Sequence, residues 1–145
     1  MLKYGSFLWG CNTSASNLNL RPCGISTSLG AVAAGFYGMI VRHDKCLKRV
    51  VADVIEEEEM SLRWYAKDGI VLRYRMLGMK TEYRCSGGIA ASLEEVGLKR
   101  RDKELKGIRK LEELFPGWVT VDMTKKSSKI NAPFKFQNKI IKYLK

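Results

Sequence analysis

Two runs of alternating apolar residues, Ser61–Ala66 and Ile70–Leu77, flank Lys67-Asp68-Gly69. This stretch constrains the fold most, because a one-residue slip in a hairpin moves every side chain to the opposite face. A two-residue loop would set Trp64 against Arg73 and Leu62 against Arg75, mixing apolar and charged groups on both faces. A three-residue loop puts Leu62, Trp64, Ala66, Ile70, Leu72, Tyr74 and Met76 on one face. Burial selects the second register, with Gly69 as the left-handed loop residue. Gly78 then precedes a third strand, Thr81–Cys85. The outer face carries Arg63, Tyr65, Arg73, Arg75 and Arg84. Cations interleaved with an aromatic on a sheet suit phosphate contact and base stacking.

The flanks read as helices. Asp44 is placed to cap one, in which Leu47, Val50, Val51, Val54 and Ile55 fall at i, i+3, i+4, i+7 and i+8. Glu56–Glu59 would lie at its C-terminal end, where negative charge opposes the macrodipole. Downstream, Gly87-Gly88 break the pattern, and Ser92 with Glu95 resembles a capping box for a helix ended by Gly97. Asp102 is placed to cap another, with Leu105, Ile108, Leu111 and Phe115 as its buried stripe and Pro116-Gly117 as its stop. Trp118–Met123 reads as a short strand and Thr124–Pro133 as a polar loop. Phe136, Ile140, Tyr143 and Leu144 read as a terminal amphipathic helix. The expected class is α+β: a three-stranded antiparallel meander plus a short fourth strand, packed against helices.

Charge divides the chain of 145 residues further. Lys+Arg 26 against Asp+Glu 15 leaves a net +11. Residues 1–41 hold only Lys3 and Arg21 and no acid, whereas residues 125–145 hold seven lysines and no acid. The expected organisation is an uncharged N-terminal segment 1–41 with an apolar helix 29–41, an α+β core 42–124, and a basic tail or helix 125–145. Residues 25–41 form 17 positions without a charge, close to the lower limit for a membrane span. Arg42, Lys45, Lys48 and Arg49 follow at once, in the manner of a positive-inside flank. Length favours a buried helix, with a membrane span as the alternative, and the apolar N-terminal segment is also where protein partners are expected.

Most site chemistry is excluded by spacing. Cys11, Cys23, Cys46 and Cys85 lie 12, 23 and 39 residues apart, without the short pairing that structural zinc uses. A Cys11–Cys23 disulfide requires an oxidising compartment. His43, the one histidine, stands three residues before Cys46 but without an identifiable oxyanion donor. Asp53, Glu56 and Glu57 offer carboxylates for Mg²⁺, as a metal-dependent nuclease would need, although a run of glutamates is ordinarily a solvated face. No phosphate-binding glycine loop is present, and no cofactor or metal is expected.

The cations are the more specific signal. Besides the sheet face, Lys99, Arg100 and Arg101 form a basic corner, and Lys125, Lys126, Lys129, Lys135, Lys139 and Lys142 run through the tail. The expectation is a non-catalytic protein that contacts nucleic acid, RNA preferred, through phosphates within a larger assembly. An intracellular setting, cytoplasm or organelle matrix, is favoured. A single-span membrane-anchored subunit and a metal-dependent nuclease are the alternatives.

Overall fold

Four consecutive glutamates begin a helix here rather than end one. In the computed structural model, which describes residues 2–13, 20, 24–51, 55–80, 100–121 and 134–136, helix α1 spans Glu56–Asp68 with Glu56–Glu59 in its first turn. There the carboxylates meet the positive end of the macrodipole. Of the helix expected after Asp44, with its stripe Leu47–Ile55, residues 45–51 form only a single 3-10 turn, Lys45–Leu47, while Val54 lies outside the described residues. The expected hairpin is corrected at the same point, since Ser61–Ala66 is helical. Met60 and Trp64 lie one turn apart and are both buried, as is Leu62. Gly69 does take a positive φ, 72°, but it follows a helix: its N–H donates to the Tyr65 carbonyl at 2.8 Å.

The chain divides into two compact units, Met1–Val50 with Glu56–Glu82, and Val51–Ile55 with Tyr83–Lys145. The first unit thus draws residues from both sides of position 41. It holds a four-stranded mixed sheet built from β1 (Leu8–Asn12), β2 (Ile25–Ser26), β3 (Tyr37–Met39) and β4 (Leu72–Gly78), in the order β2-β4-β1-β3. β4 runs antiparallel to β2 but parallel to β1, with Trp9 opposite Leu72 and Gly10 opposite Arg73. The α+β class is as expected, but the meander is not: a parallel pair needs a long crossover, and here that crossover contains α1.

Residues 29–41 form no helix. Their backbone donors are taken up by neighbours instead. Val32 N–H donates to Ser61 Oγ at 3.1 Å, and Ala34 N–H to Glu57 Oε1 at 2.7 Å. Ala33 N–H donates to the Cys11 carbonyl at 3.1 Å. The stretch therefore docks on α1 and β1 and then becomes β3. Its small residues serve close approach, as does Gly10, where a Cβ would lie 2.9 Å from that of Val32. Among the described residues no helix is long and apolar enough to cross a membrane. The core of this unit is Leu8, Val32, Met60, Trp64 and Val71, with Phe7, Leu47 and Tyr65 packed against it.

In the second unit, α2 (Arg100–Leu114) buries Ile108 and Leu111 completely. Gly107 is also buried, and a Cβ there would meet Ile55. Asp102 lies within α2 rather than at its cap. The helix ends before Pro116, and Gly117 takes a φ of 77°, as the Pro-Gly stop requires. β5 (Val119–Val121) pairs antiparallel with β6 (Phe134–Phe136). Phe136 is therefore in a strand and does not start a helix. The expected strand Thr81–Cys85, the helix after Ser92, and Ile140, Tyr143 and Leu144 lie outside the described residues.

Candidate nucleic-acid interface

A basic segment follows β3 and is held from several sides. Asp44 Oδ1 accepts from Cys46 N–H at 3.3 Å, which starts the 3-10 turn. The Cys46 carbonyl accepts from Arg63 Nη1 at 2.9 Å, and Lys67 Nζ lies 2.7 Å from Asp44 Oδ2. Leu47 packs on the core, and Val50 N–H donates to Glu59 Oε1 at 2.7 Å. With its backbone fixed this way, the turn presents Lys45, Lys48 and Arg49 to solvent. Neither Lys45 nor Lys48 pairs with a carboxylate among the described residues, whereas Arg49 meets Glu56 at 3.6 Å. Beside them opens a cleft of about 450 Å³, whose walls include Tyr37, Met39, Val41, His43 and Trp64. Tyr37 is 40% and Val41 72% exposed, so the rim combines cations with uncovered apolar surface.

Of the five residues expected on one sheet face, the four that are described divide between α1 and β4. Arg63 and Tyr65 are two positions apart on α1, on different sides of it. Arg63 Nε donates to the fully buried Glu59 at 2.7 Å, and Tyr65 packs against the core. Arg73 and Arg75 are on β4. Arg73 is largely enclosed, and its Nη2 donates to Ser26 Oγ at 3.3 Å. Burial, and secondarily the charge of Arg75, lowers its pKa from the ordinary guanidinium value. Arg75 is half-buried, with its N–H on the Gly24 carbonyl at 2.7 Å. Arg84, Lys99, Lys125, Lys126, Lys129, Lys139 and Lys142 lie outside the described residues. Arg100 and Arg101 are in the first turn of α2, and Lys135 is the middle residue of β6.

Lys45, Lys48 and Arg49 are cations that the strand-based reading passes over as a site. Their signal is plain in the sequence, a cluster of bases directly after an apolar stretch, but in a linear reading it resembles a membrane flank.

Other chemistry finds little support in this arrangement. The Cys46 thiol donates to Asp44 Oδ1 at 3.1 Å, and that carboxylate, followed by burial, raises the thiol pKa. A thiol held protonated is a poor nucleophile. Cys11 is a free, buried thiol. Glu57 is engaged by the Ala34 N–H and Glu56 stands near Arg49, while Asp53 lies outside the described residues. Among the described residues no group of three or more His, Cys, Asp or Glu side chains is arranged to hold a metal ion. No protein-family model, no curated protein and no solved structure matches this chain.

Proposed function

We infer that this chain is a non-catalytic basic protein that binds nucleic acid, RNA preferred, through phosphate contacts, as a subunit of a larger assembly. The observation that carries this reading is the pair of lysines, Lys45 and Lys48, that meet no carboxylate among the described residues and stand on a fixed turn beside an open cleft with exposed Tyr37. Phosphate oxygens pair with the cations, and an exposed aromatic offers a stacking surface for an unpaired base. The net +11 and the seven lysines of residues 125–145 add a long-range field that draws a polyanion in. Contacts of this kind carry affinity and no base sequence.

Filter binding of the full-length chain to single-stranded RNA and DNA across a salt series tests the reading. Log affinity should fall linearly with log salt, by about 0.7 per phosphate neutralised on a single strand. Binding that is unchanged between low and physiological salt contradicts it.

A further inference from the structure

Arg73 is an enclosed cation without a counter-charge among the described residues. It lies in β4 between β1 and β2, opposite Gly10 on one side and Ser26 on the other. Its guanidinium rests against Gly30, where any Cβ would overlap it. Among the described residues Nη2 has a single weak hydrogen bond, 3.3 Å to Ser26 Oγ, and the buried Nε–H has no partner. No carboxylate pairs with it among the described residues, and the next cation along the strand is Arg75. At this place the Ser26 and Ser28 hydroxyls lie 2.9 Å apart on the exposed side. Enclosed charges are ordinarily paired, and a guanidinium with unsatisfied donors is matched by a planar or tetrahedral oxyanion.

We propose that Arg73, Ser26 and Ser28 form a binding site for a phosphate group. The phosphate oxygens accept from the Nη edge of the Arg73 guanidinium, the edge beside Ser26, and from the two serine hydroxyls, which supplies the counter-charge that the described residues do not. The site shares no residue with the Lys45–Lys48 cleft and goes beyond the function proposed above.

The test is the Arg73 Nε–H resonance of the ¹⁵N-labelled full-length chain, assigned by comparison with Arg73→Lys. It is titrated with inorganic phosphate, with chloride at matched ionic strength, and with short oligoribonucleotides ending in a 5′-phosphate or a 5′-hydroxyl. The expected result is a saturating shift with phosphate, none with chloride, and affinity roughly tenfold weaker in Ser26→Ala/Ser28→Ala. That variant removes exposed-side hydroxyls and leaves the arginine in place if Arg73→Lys fails to fold. A stronger response to the 5′-phosphate identifies a terminal phosphate as the ligand, and equal responses identify the backbone phosphodiester. No shift with any phosphate probe, or an equal shift with chloride, overturns the site. Persistence of the phosphate shift in Lys45→Ala/Lys48→Ala separates it from the cleft.

Discussion

Arg42 sets one guanidinium nitrogen 2.8 Å from both carboxylate oxygens of Asp68, while its Cζ lies 4.2 Å from the Phe7 ring centre and 4.8 Å from that of Trp64. Asp68 is the last residue of α1, and its side chain is 6% exposed. The pair therefore ties the end of the helix to the chain leaving β3. Asp68→Ala leaves a largely covered cation unpaired and should cost about 2–3 kcal/mol in urea denaturation. Arg42→Lys keeps the charge but loses the planar contact with two rings, for about 1–2 kcal/mol. Equal stability of Asp68→Ala and the parent would remove the pair from the account of the fold.

Lys45→Ala/Lys48→Ala should leave stability within about 0.5 kcal/mol, since both side chains are exposed. Its effect belongs to binding. The slope of log affinity against log salt on single-stranded RNA should become shallower by about 1.4, which is two phosphate contacts. A slope equal to that of the parent would place the phosphates elsewhere on the chain.

Two carboxylates give opposite responses to pH. Burial pushes Glu57 above its ordinary 4.5, against the Ala34 N–H, which favours the charged form. Ionisation thus penalises the folded state, and the Glu57 contribution falls as pH rises from 4.5. Glu57→Gln keeps an oxygen for Ala34 and should be at least as stable at neutral pH, with a flatter stability curve just above 4.5. Asp44 is held at about 2, first by Lys67 and then by Cys46. Its contribution is present above the ordinary 3.8 and is lost as pH falls toward 2, so Asp44→Asn should be less sensitive to acid in that window. Denaturant midpoints of the variants, measured from pH 2 to 7, check both signs.

Glycine substitutions separate crowding from backbone conformation. Gly10→Ala would bring a methyl within 2.9 Å of Val32 Cβ and 3.1 Å of the Phe36 carbonyl, at a cost of about 1–3 kcal/mol. Gly69→Ala meets nothing within 4 Å but keeps a φ of 72°, which costs about 1 kcal/mol. Thermal denaturation should rank Gly10→Ala as the more damaging.

The parts of the fold legible in the sequence are those with a single local cause. The buried stripe of α2 and its Pro116-Gly117 stop follow from period and backbone alone. The strand Leu72–Gly78 follows from its alternation. Ser61–Ala66 misleads because Leu62, Trp64 and Ala66 alternate over too few residues to separate a strand from a helix. Glu56–Glu59 held the deciding clue, since four carboxylates are favourable at a helix start and unfavourable at its end. Leu29–Val41 misleads for another reason: its hydrogen bonds go to Ser61, Glu57 and Cys11, partners that only the tertiary fold supplies. The cleft was half visible. Arg42, Lys45, Lys48 and Arg49 stand out as bases, but that Arg42 is taken up by Asp68 and Arg49 meets Glu56, while Lys45 and Lys48 meet no carboxylate among the described residues, depends on contacts that only the tertiary fold supplies.

The parallel pairing of β1 with β4 joins Trp9 to Leu72. A chain emerging from the ribosome cannot complete this sheet until β4, far downstream of β1, has been made. Until then β1 keeps a naked edge, and closing so long a loop is slow compared with forming a helix. The interval between the synthesis of β1 and that of β4 is thus the stage most exposed to wrong strand partners, and a companion that shields β1 during that interval would raise the yield.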